Sequence, residues 1–301
     1  GRVYRDQLKK ISKQKKWSFE AIGLHGQTVF HAPPKATLQI GEASYLSETF
    51  QVPVISDFRV ADLALKGQGA PIASLFHQIV YHRLMDHKRI SLHNLGGISN
   101  LSLINSKGVV EKAFDTGPAN MLIDLLIQKN TSGEFKYDKN GQWASRGIPA
   151  QTVVDHFLES YQYFTKTPPK SCGREQFGEG FLSLMLKQMK NLNDEDRLAT
   201  VTELTARSVA SAYQKFSAKL PSCVILCGGG AKNIYLKKRI QYHLPKVDVV
   251  TTENFGWPVS AVEGAAFALL AAYKIWGLPS NLPKTTGAKK SVPLGKVVEV
   301  F

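Results

Sequence analysis

Residues 90–104 read ISLHNLGGISNLSLI, two apolar runs that meet at Gly96-Gly97. Alternation of apolar and polar residues is typical of β-strands, and paired glycines between two such runs favour a tight hairpin turn. A third run, Val224-Ile225-Leu226, ends in Cys227-Gly228-Gly229-Gly230 directly before a helical pattern. Because glycine lets a main chain approach a ligand closely, we expect strands that end in ligand-binding loops.

The rest of the chain alternates between strand and helix periodicities. Short apolar runs predict strands at residues 21–24, 37–40, 53–56, 90–95, 101–104, 224–226 and 247–251. Apolar residues at helical spacing predict helices at residues 4–13, 71–84, 120–128, 200–218, 233–243 and 261–276. This alternation predicts an α/β fold in two lobes. A new sheet begins at Arg89, so we place the first lobe at residues 1–88 and the second at residues 89–301, with helix 261–276 packing back toward the first.

The composition is that of a folded protein. With 301 residues, 43% of them hydrophobic, the chain is long enough for two domains with a buried core. The most apolar segment, residues 261–275, is interrupted by Glu263 and Lys274, which argues against a membrane span. Residues 1–10 carry charges and no apolar segment typical of a secretory signal. The three cysteines complete no metal-ligand cluster, so we expect reduced thiols in a cytoplasmic protein. They are Cys172, Cys223 and Cys227.

The chain is strongly basic, with 38 Lys and Arg against 24 Asp and Glu and a net charge of +14. Clustered cations bind nucleic acids by releasing counterions from the phosphates. Here the basic groups are short, scattered and not interleaved with the aromatic residues of a single-strand-binding surface. We therefore expect solvated surface charge that attracts anionic substrates, and no nucleic-acid partner. A nucleic-acid partner is the alternative, and its affinity would fall steeply with salt.

Asp115 is the candidate general base. It follows the apolar pair Ala113-Phe114 and precedes Thr116-Gly117-Pro118, which predicts a carboxylate at a strand end beside a sharp turn. A partly desolvated carboxylate there can accept a proton from a water or a sugar hydroxyl. An Asx-type turn, in which Asp115 bonds its own downstream backbone, accounts for the same residues. Both interpretations stay open at this point.

Glycine-rich loops are the candidate phosphate ligands. Gly96-Gly97 can present backbone N–H groups to a phosphate, although a plain β-turn is the alternative. Three consecutive glycines after a strand are more specific, because they weaken local structure and are best explained by a ligand that needs that surface. The predicted nucleotide-binding residues are Asn94, Gly96, Gly97, Gly228, Gly229, Gly230 and Asn233.

Polar side chains in the first lobe are candidates for substrate recognition. His25, Gln27, His31 and Gln39 crowd two successive strand ends, and each can both donate and accept hydrogen bonds to sugar hydroxyls or amides. A metal site would need closer convergence with carboxylates and is not favoured. The second cluster, Asp57-Phe58-Arg59 with Asp62, contacts substrate or forms a structural ion pair.

Three charged residues elsewhere are further candidates. Glu263, in an otherwise apolar helix, is costly to bury unpaired, so we expect it to face a ligand cleft. Lys170 and Arg174 lie in a predicted loop, where they hold an anionic substrate or remain solvated. The predicted substrate-binding residues are His25, Gln27, Gln39, Arg59, Asp62 and Glu263.

Eight short motifs follow one another in a characteristic order. They are HGQT at 25–28, LQIG at 38–41, DFR at 57–59 with Asp62, GQGAP at 67–71, NLGGISN at 94–100, DTGPAN at 115–120, PPKS at 168–171 with GRE at 173–175, and CGGG at 227–230. The pattern extends to NLP at 281–283 and TGA at 286–288. Together these motifs resemble those of the anhydro-N-acetylmuramic acid kinase family, over almost the whole chain.

The resemblance implies a two-lobed actin-like (ribonuclease H-like) sugar kinase fold that uses ATP and Mg²⁺. It implies cleavage of the 1,6-anhydro ring of anhydro-N-acetylmuramic acid with phosphorylation of O6, which yields N-acetylmuramic acid 6-phosphate in the recycling of cell-wall sugar. Asp115 matches the family's catalytic aspartate, which would deprotonate water for attack at C1 as the departing O6 attacks the γ-phosphate. The implied partners are the amino sugar and ATP, and a homodimer is one of the oligomeric states open to it.

The chain also departs from the family pattern. The family opens with a strand and a Gly-Thr-Ser-x-Asp-Gly loop on the ATP phosphates, and this chain shows no such segment, so we expect a first lobe truncated at its N-terminus and weak or absent turnover. Ser260 stands where the family usually has Asp, Ala119 replaces a glycine and Cys172 a threonine. The alternative is a catalytically impaired fragment or a sugar-binding sensor, whose binding would need neither ATP nor Asp115.

Overall fold

The computed structural model describes residues 1–81 and 88–301, which divide into two units. One unit consists of Gly1–Ile79 and Glu263–Phe301, and the other of Val80–Val262. The first unit thus ends before the boundary at residue 88 that the sequence indicates. It also includes the chain's last segment, which we had placed in the second lobe.

The described residues contain strands and helices that we number in chain order. The strands are β1 Ile22–Gly23, β2 Gln27–Ala32, β3 Ala36–Ile40, β4 Val54–Ser56, β5 Ile90–Leu95, β6 Ile98–Ile104, β7 Val110–Pro118, β8 Cys223–Cys227, β9 Asp248–Thr251 and β10 Lys296–Val298. The helices are α1 Arg2–Lys15, α2 Ser44–Phe50, α3 Val60–Ala64, α4 Ser74–Tyr81, α5 Asn120–Asn130, α6 Gln151–Ser160, α7 Gln162–Thr165, α8 Arg174–Phe177, α9 Glu179–Gln188, α10 Asp194–Phe216, α11 Ile234–His243, α12 Val262–Ile275 and α13 Pro283–Thr286.

The first unit is built on a small mixed sheet and a separate hairpin. The sheet has the order β1-β4-β10, with β1 parallel and β10 antiparallel to β4, while β2 and β3 pair antiparallel beside it. Helix α12 belongs to this unit because its apolar face packs into the core under the sheet. That core contains Ile55, Phe58, Ile72, Leu75, Phe267, Leu270, Ala271 and Leu294.

The second unit is built on a five-stranded sheet of order β7-β6-β5-β8-β9. Strands β5, β8 and β9 are parallel, whereas β6 is antiparallel to both β5 and β7. The ends of β5, β7 and β8 and the start of β6 therefore lie at one edge of the sheet, which we call the carboxyl edge. Ligands of α/β sheets usually bind at such an edge.

Helix α10 covers the sheet of the second unit and is longer than its apolar pattern predicts. We expected a helix from residue 200, but it begins at Asp194 because the Asn193 side chain accepts a hydrogen bond from Asp196 N and caps it. Three acidic residues in the first turn favour that start electrostatically. The apolar pattern missed this turn because its residues are polar.

Several other predictions differ from the structure. Only the strand end at Asp115 was predicted of β7, which spans Val110–Pro118, and helices α6 and α9 were not predicted. The helix expected from Pro71 begins at Ser74, and its expected end at Leu84 lies outside the described residues.

Within residues 1–81 and 88–301, no helix combines the length and the apolar character needed to cross a membrane.

Candidate active site

Asp115 lies in β7 beside a β-bulge. Asn100 of β6 pairs with Asp115 and Ser99 pairs with Gly117, so Thr116 is the extra residue on the bulged strand. The Asp115 side chain is 7% exposed. A bulge redirects side chains near strand ends, and here it lies three residues or fewer from the carboxyl edge of the sheet.

Three hydrogen bonds with residues 163–172 hold Asp115 in place. Tyr163 Oη donates to Asp115 O at 2.8 Å, and Asp115 N donates to Lys170 O at 3.1 Å. Cys172 N donates to the carboxylate oxygen Oδ2 at 3.0 Å. This last bond comes from a distant segment, whereas the Asx-turn interpretation required a bond from the backbone that follows Asp115. The arrangement orients a buried carboxylate, as a general base requires.

Lys170 has a structural position instead of the exposed position that would suit an anion-binding cation. It is 4% exposed, and Nζ donates to Tyr163 O at 3.0 Å. The ammonium group lies 4.7 Å from the ring centroid of Tyr163 and 4.8 Å from that of Phe216, which are cation–π distances. Burial lowers the pKa of Lys170 to about 8. Its neighbour in the motif, Arg174, is exposed.

Two of the three glycines after β8 are required by close packing. Gly228 has φ +76°, and a Cβ there would overlap Asn94 Oδ1 and lie 2.9 Å from Leu95 O. A Cβ at Gly230 would lie 2.7 Å from the Leu95 side chain. Gly229 is exposed, and a Cβ there would meet only Asn120 Nδ2, at 3.8 Å. Of the three, Gly229 is thus the position with room for a ligand.

The Gly96-Gly97 turn is tied to the start of α5. Gly96 O accepts a hydrogen bond from Asn120 N, and Gly97 O accepts from Ala119 N, both at 2.9 Å. The Asn120 side chain completes the link by donating to Leu95 O at 2.9 Å. Asn120 was absent from the predicted site, although the motif at residues 115–120 contains it. These bonds join the hairpin turn to the segment that carries Asp115.

Asn233 caps a helix. Its side-chain Oδ1 accepts a hydrogen bond from Leu236 N at 2.9 Å, and the residue is buried. Asn is among the residue types preferred at an N-cap for reasons of local structure alone. Asn233 thus has a structural role at the start of α11, and its nucleotide contact stays a prediction.

In the first unit, His25 and Arg59 form a hydrogen-bonded pair. Arg59 Nη2 donates to His25 Nε2 at 3.1 Å, and Nη1 donates to Gly69 O at 2.7 Å. His25 Nδ1 lies 2.9 Å from Gly26 O, so this nitrogen carries the proton of a neutral imidazole. Burial, with the Arg59 charge second, lowers the pKa of His25 to about 4. The imidazole is therefore neutral at physiological pH.

The hairpin β2–β3 presents one polar side to this unit. His31 Nδ1 lies 3.0 Å from Thr37 Oγ1, and Gln39 Nε2 donates to the same oxygen at 2.7 Å. Among the residues that the structure describes, Gln39 Oε1 is buried and has no hydrogen-bond partner. A buried acceptor of this kind can accept a hydrogen bond from a ligand or a water. We define the polar surface of the first unit as His25, His31, Gln39 and Arg59.

Asp62 lies behind this polar surface. It is 0% exposed, and its oxygens accept hydrogen bonds from Gly69 N, Asn281 Nδ2 and Thr286 Oγ1 at 2.7 to 2.8 Å. Because Gly69 O in turn accepts from Arg59, Asp62 acts through Gly69 to hold the arginine. The predicted substrate contact of Asp62 is thus replaced by a positioning role.

The two remaining predicted substrate residues are exposed. Gln27 lies at the start of β2, and Glu263 lies in the first turn of α12. Glu263 is one helical turn before Phe267, whose ring contacts the His25 ring at 4.3 Å between centroids. Residues four apart share a helix face, which puts Glu263 on the side of α12 that contacts His25.

Across residues 1–81 and 88–301, no three His, Cys, Asp or Glu side chains converge as a metal-binding cluster.

The chain matches the sequence model of the anhydro-N-acetylmuramic acid kinase family over residues 1–299. The anhydro-N-acetylmuramic acid kinase of Crocosphaera subtropica is 41% identical over 301 residues, which cover 95% of this chain and 77% of that protein. The protein of the same name from Cyanothece sp. is 40% identical, with 92% and 76% covered.

One solved structure with partial similarity is the activator of 2-hydroxyisocaproyl-CoA dehydratase from Clostridium difficile with bound ADPNP. It superposes with a TM-score of 0.44 at 12% identity, over 72% of this chain and 66% of that chain. A similarity at this level supports no conclusion about function.

Proposed function

The chain belongs to the anhydro-N-acetylmuramic acid kinase family, and from this premise we propose that it opens the 1,6-anhydro ring with water and phosphorylates O6 from ATP. The products are N-acetylmuramic acid 6-phosphate and ADP. The observation that carries the proposal is the geometry of Asp115. This buried carboxylate lies in β7, beside the glycine-rich carboxyl edge, and a hydrogen bond from Cys172 N orients it. Relatives about 40% identical to this chain carry the name of this kinase, and on that ground we propose turnover in place of the weak or absent activity expected from the sequence.

Asp115 is the general base of the proposed reaction. Its carboxylate takes a proton from a water, whose oxygen forms a bond to C1 of the sugar as the C1–O6 bond breaks. The departing O6 forms a bond to the γ-phosphorus of ATP, and the bond from that phosphorus to the ADP oxygen breaks. Such a reaction asks the protein mainly to position groups and stabilise charge.

The carboxyl edge of the second unit is the proposed nucleotide site. Gly96, Gly97 and Gly229 expose backbone beside Asn94, and an edge built of main chain suits close approach to phosphates. Mg²⁺ neutralises charge on the phosphates when it is bound with ATP.

The polar surface of the first unit is the proposed sugar site. Gln39 Oε1, buried without a donor, is an acceptor for a sugar hydroxyl or amide N–H. Arg59 suits the lactyl carboxylate of a muramic acid, because guanidinium groups bind carboxylates with planar hydrogen bonds. His25, Gln27 and Glu263 complete the proposed contacts.

Product analysis by mass spectrometry tests this function. The chain is incubated with anhydro-N-acetylmuramic acid, ATP and Mg²⁺ in H₂¹⁸O and sampled before the anomeric oxygen exchanges. We expect a phosphorylated, ring-opened sugar with ¹⁸O on C1 and none in the phosphoryl group.

Two variants complete the experiment. Asp115→Asn keeps the shape but removes the base, so product formation should fall at least about a thousandfold. Asp155→Asn changes a carboxylate of α6 that pairs with Arg207 of α10, and it serves as the matched control with unchanged turnover. Equal product from Asp115→Asn, or no product from the unaltered chain, would contradict the proposal.

A further inference from the structure

A row of buried polar side chains leads from the β7 bulge into the interior of the second unit. Every member is 2% exposed or less. The row consists of Thr116, Ser99, His93, Tyr213, Ser91 and the carbonyl of Ser102. Buried polar groups in a sheet interior cost free energy unless each one is satisfied, and a fully satisfied network rigidifies its surroundings.

The contacts in the row are short. Thr116 Oγ1 donates to Ser99 Oγ at 2.7 Å, and Ser99 Oγ lies 2.6 Å from His93 Nε2. His93 Nδ1 lies 2.8 Å from Tyr213 Oη. Tyr213 Oη donates to Ser91 Oγ at 2.8 Å, and Ser91 Oγ donates to Ser102 O at 3.2 Å.

The far end of the row decides the direction of its hydrogen bonds. A carbonyl only accepts, so the Ser91 proton points to Ser102 and the Tyr213 proton points to Ser91. His93 must then donate from Nδ1 to Tyr213 and accept from Ser99 at Nε2. In the opposite direction the Ser91–Ser102 contact would join two acceptors, and the row would end on a 3.4 Å contact between Thr116 Oγ1 and Ser99 O.

This row of hydrogen bonds holds the backbone at the bulge in position and does not relay protons. Burial lowers the pKa of His93 to about 3, so its imidazole remains neutral. The far end is a carbonyl, which cannot store a proton delivered from Asp115. The near end, Thr116, is the bulged residue directly after Asp115, so the row fixes the backbone at the bulge.

We propose that His93 is a positioning residue for the reaction, which holds Asp115 through Ser99 and the Thr116 bulge as its neutral Nδ1–H tautomer. The proposal rests on the proposed role of Asp115. Residues 163–172 hold Asp115 from one side through the bonds of Tyr163, Lys170 and Cys172, and the buried row anchors the next residue from the interior. The base is thus restrained by two independent sets of contacts.

The first test is the tautomer of His93, measured by ¹⁵N NMR on the whole chain. The signal is assigned by its loss in His93→Gln. We expect a protonated Nδ1 and an unprotonated Nε2 that stay unchanged from pH 8 to pH 5. An Nε2–H tautomer, or an imidazolium within this range, would overturn the proposal.

The second test separates positioning from packing. Tyr213→Phe keeps the ring and removes the hydroxyl that links His93 to Ser91, so we expect kcat to fall about tenfold with both KM values unchanged, the effect of one ordinary hydrogen bond. Thr116→Val should lower kcat similarly, whereas Thr116→Ser, which keeps the hydroxyl, should restore it. Tyr235→Phe, a half-buried tyrosine in α11, is the control with unchanged kcat.

The Tm of each variant is measured by thermal unfolding, so that kcat is compared at a temperature well below Tm. Unchanged kcat in both Tyr213→Phe and Thr116→Val would overturn the proposal. If the unaltered chain forms no phosphorylated sugar, the proposed function fails. The positioning role fails with it, and the tautomer measurement then decides only the direction of the hydrogen bonds.

Discussion

The carboxyl edge of the second unit is made mainly of backbone, whereas the polar surface of the first unit is made of side chains. At the carboxyl edge, Gly228 and Gly230 leave no room for a Cβ against Asn94 and Leu95. On the polar surface, Arg59 and His25 depend on side-chain hydrogen bonds.

This difference predicts two kinds of sensitivity. At the close-packed backbone of the carboxyl edge, adding any side chain should cause a large loss of activity, because the neighbouring main chain cannot shift to accommodate it. Substitution of a hydrogen-bonded side chain on the polar surface should cause a smaller loss, and this loss should appear in the KM of one substrate only. Four measurements test the comparison.

The largest effect is expected for Gly228→Ala. The added methyl group would overlap Asn94 Oδ1 and approach Leu95 O at a φ of +76°. We expect kcat/KM for ATP to fall about hundredfold, since strain and overlap together cost about 3 kcal/mol. Steady-state kinetics with varied ATP measure it.

Gly256→Ala is the matched control for this variant. Gly256 has nearly the same φ, +77°, but a Cβ there meets nothing within 4 Å. It should show only the backbone cost, as a small decrease in Tm with unchanged kcat/KM. Similar kinetic losses in both variants would mean that backbone conformation, and not packing, makes Gly228 necessary.

Arg59→Gln should have the next largest effect. It removes the charged donor to His25 Nε2 and to Gly69 O, so we expect KM for the sugar to rise about twentyfold, as for hydrogen bonds from a charged group. KM for ATP should stay constant. Arg5→Gln, which changes an arginine of the same unit paired with Asp6, is the control. A parallel rise in KM for ATP would remove the distinction between the two regions.

Gly229→Ala should have a smaller effect than Gly228→Ala, although the two glycines are neighbours. A Cβ at Gly229 meets only Asn120 Nδ2 at 3.8 Å, so Tm should be unchanged. We expect KM for ATP to rise about threefold, because the methyl group partly fills the space for the ligand. A Tm decrease as large as that of Gly228→Ala would show that Gly229 is also needed for packing.

The smallest effect is expected from pH on sugar affinity. Burial, with Arg59 second, lowers the pKa of both His25 and His31 to about 4, so both stay neutral from pH 8 to pH 5. Sugar affinity measured by calorimetry should change less than about twofold over this range, in contrast to an ordinary histidine of pKa about 6.5. A clear change in sugar affinity near pH 6.5 would show that these imidazoles are solvated.

Other buried ionisable groups give the free energy of unfolding a defined dependence on pH. The buried imidazoles of His77 and His93 have pKa values lowered by burial to about 4 and about 3, so between pH 6.5 and pH 4 the unfolded chain binds protons that the folded chain does not. Stability should therefore fall as pH falls through this window, by up to about 1.4 kcal/mol per pH unit for each imidazole. Burial raises the pKa of Glu203, but hydrogen bonds from His243 and Arg239 outweigh it and lower the pKa to about 2. Its contribution is lost only below pH 4.5.

The sequence predicted the features that depend on neighbouring residues along the chain. The strands on either side of Gly96-Gly97, the strand before Gly228 and the buried position of Asp115 follow from alternation and from turn residues. The ordered motifs indicated the family, which the match over residues 1–299 confirms. The assignments of sugar and nucleotide contacts stay predictions.

The tertiary structure decided which polar residues face outward. Lys170 and Asp62 are polar residues of ordinary loops and helices in sequence, yet both are almost fully buried and hold other residues in place. The contacts of His93 with Ser99 and Tyr213 depend on strand register and on the docking of α10. Local periodicity reports whether a residue lies on a buried face, but hydrogen-bond partners come from segments brought together only when the chain folds.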